Sequence, residues 1–325
     1  MKAIIPVAGE GRRLRPHTHT TPKVLIEVAG KPILGYILDT LVPLDIEEAI
    51  FIVGHMGDKV RDFVLSHYST IHASFVHQDV PRGLGHAIYL ARERVADEPL
   101  LIVLGDTVFE ADLAKVVGQR CAKIGVWEVE DPRRFGVVEM EDGRVTRLVE
   151  KPAEPPSNLI IVGPYYLPSG ARLFQALEAN IAAGRTTKGE IQLTDALQLM
   201  IEQGERMEVF EIDGWYDCGQ LETVLTTNRY LLDKLGGNPE VEGSIIHPPV
   251  FIDPSAVVES SIVGPYVSIA EQVTIKESVI RDSIVNGGAY VENVLIHRSL
   301  VGDNAVVRGA LKKLNVGDSS EIDFK

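Results

Sequence analysis

Lys2-Ala-Ile-Ile-Pro-Val7, then Ala8-Gly-Glu-Gly-Arg-Arg-Leu-Arg-Pro16, then His17-Thr-His-Thr-Thr-Pro-Lys23 open the chain. A short β-branched run that passes directly into glycines is a strand followed by a loop. In such a loop no Cβ blocks the approach of backbone N–H groups to a ligand. Arg12, Arg13, Arg15 and Lys23 follow the glycines, so the ligand is expected to be an anion, and a polyphosphate fits best. The chain as a whole carries a formal charge of −14, which repels such ligands at long range. Between Glu10 and Lys31 the balance reverses, with five basic residues against Glu10 and Glu27. Positive charge concentrated in one loop of an acidic protein points to a local task.

The loop is neither of the two commonest phosphate binders. No Lys-Ser or Lys-Thr follows the glycines, as a Walker loop requires, and Leu14 stands where a dinucleotide fingerprint needs its third glycine. The segment instead resembles the sugar nucleotidyltransferase signature G-x-G-T-R-L-x-P-x-T…P-K. Gly9, Gly11, Arg13, Leu14, Pro16, Thr18, Pro22 and Lys23 match in place, while Arg12 replaces the usual Thr and Ala8 a frequent Gly. Neither change removes a backbone donor. The resemblance implies nucleotide contacts from Ala8, Gly9, Gly11 and Arg13.

Outward from this loop, β-branched runs alternate with helical patterns. Strands are expected at Ala3–Val7, Ala49–Val53, Ala73–Val76 and Leu100–Leu104, with helices at Pro32–Leu41, Met56–His67 and Leu84–Val95 between them. That alternation implies an α/β, Rossmann-like, mainly parallel sheet that binds ligands at the carboxyl ends of its strands. Further pieces follow at Lys123–Val129, Gly136–Glu141, Arg144–Glu150, Ile160–Tyr166, Leu173–Ala182 and Glu208–Ile212. A helix over Leu221–Leu235 is expected to close a first domain, residues 1–235, before the linker Gly236-Gly-Asn-Pro239.

From residue 241 to 325 the period changes. Ile245, Phe251, Val257, Val263, Ile269 and Ile275 recur every six residues, often preceded by a small or β-branched residue such as Ser255, Ser261, Val267 or Val273. A six-residue period fits stacked short parallel strands, with three hexads to a coil. The register slips and resumes at Leu295, Val301 and Val307. The pattern resembles the hexapeptide-repeat left-handed β-helix, with about four or five coils.

The resemblance extends along the chain. His77-Gln-Asp-Val-Pro-Arg-Gly-Leu-Gly-His-Ala87 is similar to the family's nucleobase segment, which implies that Gln78 and the backbone of Gly83 read the base. A side-chain amide offers a donor and an acceptor, as the imide face of uracil or thymine requires. Leu101–Leu104 ends in Gly105-Asp106, and Gly214-Trp-Tyr-Asp-Cys-Gly-Gln220 resembles the family's W-x-D-T-G with Cys218 for Thr. By that match Asp106 and Asp217 hold Mg2+ beside the phosphates. Arg134-Phe-Gly-Val-Val, Glu150-Lys-Pro152, Ile161-Val-Gly-Pro-Tyr165 and Lys188-Gly-Glu-Ile-Gln-Leu-Thr-Asp195 are similar to the sugar-phosphate segments. They imply Gly136, Glu150, Lys151, Tyr165 and Lys188 as contacts, with Lys188 in place of a frequent Arg and with Glu190 and Asp195 in structural roles. Arg13, Lys23, Asp106 and Asp217 are the implied catalytic set.

The implied reaction joins a nucleoside triphosphate to a sugar 1-phosphate with release of pyrophosphate. The long-form glucose-1-phosphate thymidylyltransferases, which append a β-helix, are the most similar group, so dTTP, or UTP, with glucose 1-phosphate is expected. Leu14-Arg15-Pro16 and Val28-Ala-Gly-Lys-Pro32 also occur in mannose-1-phosphate guanylyltransferases. An acyltransferase in the β-helix, with His247 or His297 as base, and a regulator that binds without turnover are the other readings. Retention of Arg13, Lys23, Asp106, Lys151 and Asp217 argues against the last.

Composition closes off other classes. Hydrophobic residues make up 45% of the 325, ample for a packed core. No apolar run approaches the roughly 18–20 residues of a membrane span, and no signal-peptide pattern precedes the first strand. Cys121 and Cys218 stand far apart without metal-ligand spacing, which fits a cytoplasmic protein. Acidity without a basic, aromatic-interleaved patch argues against nucleic acid as a partner. Stacked strands that end in an open coil lead us to expect a homo-oligomer formed through the β-helix.

Overall fold

The computed structural model describes residues 1–310; the part of the expected β-helix domain beyond them lies outside the described residues. The described residues divide into two compact units, one of residues 1–26 and 31–227, the other of residues 27–30 and the described residues from Asn228 onward. The division falls inside the helix Leu221–Leu235.

The first unit is built on a nine-stranded sheet. Its strands and those of a small ribbon are, in chain order, β1 (Lys2–Pro6), β2 (Glu48–Val53), β3 (Ala73–His77), β4 (Leu100–Val103), β5 (Thr107–Glu110), β6 (Ala122–Glu128), β7 (Gly136–Glu141), β8 (Arg144–Glu150), β9 (Leu159–Leu167), β10 (Met207–Glu211) and β11 (Gly214–Asp217). β1, β2, β3 and β4 are parallel, in the order β3-β2-β1-β4. β9 runs antiparallel to β4, β6 and β7, and β10 joins β6 in parallel. Ile4, Ile50, Ile52, Leu100 and Ile102 are completely buried, as near-continuous apolar strands covered on both faces must be.

The helices are α1 (Ile33–Leu41), α2 (Gly57–His67), α3 (Leu84–Tyr89), α4 (Gly170–Ala182), α5 (Leu193–Glu202) and α6 (Leu221–Leu235). The helix expected to reach Val95 stops at Tyr89, and only a 3-10 turn over Arg92–Arg94 follows. Pro32 precedes α1 instead of beginning it. α5 had no counterpart in the sequence reading; its buried Leu193, Ala196, Leu197 and Met200 keep the i, i+3, i+4, i+7 spacing of one helix face.

In the second unit three four-stranded parallel sheets stack as the faces of a left-handed β-helix of four coils. The coils are shorter than three hexads. Ile245 pairs with Ile262 and Val279 with Leu295, steps of 17 and then 16 residues. The shortening occurs at the corners, where Ser260, Glu277 and Asn293, or Tyr266, Asp282 and Arg298, adopt positive φ. A residue in the left-handed region turns the chain in fewer positions than a full hexad does. The strict sixfold phase therefore drifts. Val263, Ile269 and Ile275 do point inward, but Ile245, Val257 and Leu295 are exposed, and Val258, Ile280 and Ile296 are the buried residues of the strands Val257–Glu259, Val279–Arg281 and Leu295–His297. Serines after the corners tie the coils together: Ser244 Oγ accepts from Ser261 N at 3.1 Å, and Ser261 Oγ from Ser278 N at 3.1 Å. Among the described residues no helix is long and apolar enough to cross a membrane.

Candidate active site

At the end of β1 the chain enters the glycine loop and makes three short 3-10 turns. Gly11 adopts φ +61, and Thr18 Oγ1 donates to its carbonyl at 2.9 Å, so the loop folds back on itself. This fold-back brings Lys23 under the strand ends. Next to it, two residues past the end of β4, the Gly105 N–H donates to Pro6 O at 3.3 Å. A side chain there would lie 2.3 Å from Val7 Cγ1, so only glycine lets the two strand ends close up. Asp106 is thereby delivered to Lys23: Nζ lies 2.6 Å from Oδ2.

β5 and β11 form a two-stranded antiparallel ribbon in which Asp217 lies opposite Thr107. That register sets Asp217 beside Asp106, and Cys218 N donates to Asp106 O at 3.3 Å. The two carboxylates are electrostatically unlike. Burial alone would raise Asp106, but the charge and hydrogen bond of Lys23 prevail and hold it below its usual range. Asp217 is pushed up, first by burial and then by the negative charge of Asp106, against the opposing pull of Lys23, Arg13 and Arg134. Beyond Asp217, a methyl on Gly219 would lie 2.9 Å from Arg13 Nη2 and 3.0 Å from either Asp217 carboxylate oxygen. The Gln220 amide, oriented by its neighbours, accepts from Arg13 Nη1 at 3.2 Å and from Arg134 Nη2 at 2.8 Å. Arg13, Lys23, Asp106 and Asp217 thus form one cluster. Arg12 points elsewhere, paired at 2.6 Å with exposed Glu10.

A second group gathers around Glu150 at the end of β8. Its Oε2 accepts from Thr194 Oγ1 at 2.7 Å, and its Oε1 pairs with Lys151 Nζ at 3.1 Å. A methyl on Gly136 would lie 3.2 Å from Glu150 Oε2. Tyr165 is buried nearby; burial and then the Glu150 charge raise its phenol well above the usual range. Asp195 accepts from Thr187 Oγ1 at 2.8 Å and anchors the turn that carries Lys188. Lys188 is exposed at φ +56, and among the described residues no ion pair ties it to the rest of the group. Phe135 and Trp215 meet edge to face at 5.3 Å and link this group to the ribbon.

A third group lies past the ends of β2 and β3. Gln78 is buried, its N–H donates to Val53 O at 2.8 Å, and it lines a cavity of about 490 Å³ with Val53, Gly54, Phe75 and His77. A methyl on Gly54 would lie 2.8 Å from Ala8 O, so the cavity adjoins the Ala8-Gly9 loop. Gly83, at φ +108, packs on the Glu190-Ile191 backbone, where Ile191 N donates to Arg82 O at 2.8 Å. The base and sugar segments are therefore stitched together. Arg134, Thr194, Gln220 and His86 were absent from the residues singled out in the sequence. Arg134 alone carried a visible signal, an arginine directly before the Phe-Gly turn.

Residues 2–234 match the family described as Nucleotidyl transferase. The chain is 32% identical to the low-salt glycan biosynthesis nucleotidyltransferase Agl11 of Haloferax volcanii, over 99% of each chain. It is 32% identical to a glucose-1-phosphate thymidylyltransferase of Streptomyces griseus, over 100% of this chain and 99% of that one. The structure of a UDP-glucose pyrophosphorylase complexed with UDP-glucose superposes with a TM-score of 0.61 at 25% identity, covering 72% of this chain and 98% of that one. A glycine loop that delivers Arg13 and Lys23 to paired aspartates, within a match that spans the whole first unit, makes the chain an enzyme of the nucleotidyl transferase family.

Proposed function

We propose that the enzyme transfers the thymidylyl group of dTTP, with UTP as a second donor, to glucose 1-phosphate, giving the nucleotide-sugar and pyrophosphate. The observation that carries this reading is the convergence of Arg13, Lys23, Asp106 and Asp217 between a buried amide, Gln78, and a carboxylate-lysine pair, Glu150 and Lys151. A buried amide suits a base edge, and a carboxylate beside an ammonium suits sugar hydroxyls beside a phosphate.

An oxygen of the sugar phosphate attacks the α-phosphorus in line. The new P–O bond forms as the bond to the β-phosphate oxygen breaks, and pyrophosphate leaves with the electron pair. The nucleophile is already anionic, so neither a general base nor a covalent enzyme intermediate is required. The side chains position two mutually repelling anions and offset the charge that develops. Arg13 meets the pyrophosphate oxygens in this reading and Lys23 the α-phosphate, where a phosphate oxygen competes with Asp106 for the ammonium. Lys151 holds the incoming sugar phosphate and Glu150 its hydroxyls. Asp106 and Asp217 fit Mg2+, which takes one or two carboxylates together with phosphate oxygens, and the repulsion between them is what a cation relieves. When bound, the ion supplies Lewis-acid neutralisation of the phosphates.

Pyrophosphate release from dTTP, UTP, GTP and CTP with glucose 1-phosphate or mannose 1-phosphate, with and without Mg2+, tests the proposal. Release from dTTP and UTP that needs both the sugar phosphate and the cation supports it. Preference for GTP with mannose 1-phosphate, or nucleotide binding without pyrophosphate release, would overturn it.

A further inference from the structure

Gln78 Nε2 lies 3.1 Å from His86 Nδ1, on the first turn of α3. Apart from its own backbone bond to β2, this is the polar contact that holds the Gln78 side chain at the cavity wall. An amide is nearly symmetric in shape, and turning it by half a revolution exchanges its donor and acceptor ends. Left alone, Gln78 could present either end to a ligand.

We propose that His86, as the Nε2–H tautomer, is a positioning residue that locks the Gln78 amide with its NH2 end toward the imidazole, so that the site accepts bases with an imide edge and rejects cytosine. The inference rests on the reading that Gln78 meets the base. A neutral imidazole whose Nδ1 carries the lone pair can only accept at that position. Burial, followed by the positive charge of Arg82, keeps His86 neutral by lowering its affinity for a proton. With the ring proton on Nε2, one Gln78 N–H is committed to His86, and Oε1 with the second N–H is left for the cavity. Uracil and thymine offer a ring N–H beside a carbonyl, the complement of that pair. Cytosine reverses the order, with a bare ring nitrogen beside an NH2 group, and pairs only with the amide turned over. In that tautomer, turning it would set Oε1 against the Nδ1 lone pair and leave an acceptor facing an acceptor, a mismatch that costs about one hydrogen bond.

The test measures kcat/KM for UTP and CTP at fixed glucose 1-phosphate in the wild type and in variants of His86 and Gln78. Taking the ratio cancels differences in the amount of folded enzyme. His86→Leu and His86→Ala free the amide, and the UTP/CTP ratio is expected to fall roughly tenfold, chiefly through KM. His86→Asp places an acceptor-only oxygen near the position of Nδ1 and is expected to keep the ratio close to that of the wild type. A ratio unchanged in both His86→Leu and His86→Ala, or lost equally in His86→Asp, overturns the lock. Gln78→Leu separates the two levels. If it abolishes discrimination while His86→Leu does not, only the lock fails; if it leaves discrimination intact, the base-reading role of Gln78 fails with it.

Discussion

Lys23 Nζ and Asp106 Oδ2 stand 2.6 Å apart, and the lysine is the deeper partner, with its side chain 8% exposed against 45% for the aspartate. A buried ammonium needs a counter-charge more than a half-exposed carboxylate does. The pair therefore has a structural share, carried by Lys23, and a chemical share, carried by Asp106. Asp106→Asn is expected to lower kcat by about 100-fold or more and also to lower stability by about 1–2 kcal/mol, because Lys23 stays buried without its partner. Lys23→Met in the same background should restore most of the stability and none of the turnover. Denaturant titration alongside pyrophosphate assays reads both shares. Near-wild-type turnover in Asp106→Asn would remove that residue from the mechanism.

Cys218 occupies the position after Asp217 without taking part in the chemistry. It is fully buried, and its thiol lies 3.5 Å from Thr227 Oγ1. Burial raises its pKa to about 12, so it stays a thiol at any working pH. Cys121 is only partly covered. Native protein treated with iodoacetamide at pH 8 is expected to be modified at Cys121 alone, and protein in denaturant at both residues. Mass spectrometry of the peptides decides. Rapid native labelling of Cys218 would contradict the packing described around the ribbon.

Gly83 joins two segments far apart in sequence. A methyl there would lie 2.5 Å from Ile191 O and 2.8 Å from Ile191 N, both backbone atoms that cannot swing away. Gly83→Ala must also hold φ near +108, a region closed to a side chain. The expected cost is about 2–3 kcal/mol of stability, with a rise in KM for the nucleotide larger than that for the sugar phosphate. Equal effects on the two substrates would show that Gly83 shapes the whole cleft and not its base end.

These contacts mark where local sequence stops being informative. The glycine loop and Asp106 were legible because each lies in a short run whose residue types restrict one another, strand, glycine and charge, whereas Asp217 was legible only through the resemblance of Gly214–Gln220 to a family segment. The ribbon that brings the aspartates together was not, because β5 and β11 are separated by more than a hundred residues and neither carries a strong strand pattern. The roles of Gln220 and His86 exist only through the partners they meet in space. Helix α5 was hidden for another reason. Its first turn holds Thr194 and Asp195, which as a motif drew attention to chemistry, although the acidic first turn and the apolar spacing after it also mark a helix start. In the β-helix the period was visible and its phase was not, because the left-handed corners at Ser260, Glu277 and Asn293 shorten each coil by one or two residues.

The second unit carries a pH dependence of its own. Glu27 is mostly buried, and burial, followed by the negative charges of Asp303, Glu271 and Asp253, raises its pKa from the ordinary 4.5 to about 7. Below pH 4.5 the group is protonated in both the folded and the unfolded chain. Between 4.5 and 7 the folded chain keeps a proton that the unfolded chain has lost, so the stability contribution of Glu27 falls as pH rises through this window and is flat above it. At roughly 1.4 kcal/mol per pKa unit, the full fall from about 7 to 4.5 amounts to about 3–4 kcal/mol. Glu27→Gln, which is neutral at every pH, should match the wild type near pH 4.5 and exceed it by that amount at pH 8. The wild-type-minus-variant difference in unfolding free energy, followed across the window, isolates Glu27 from every other titrating group. A difference that stays constant with pH would place the carboxyl in solvent, away from Asp253, Glu271 and Asp303.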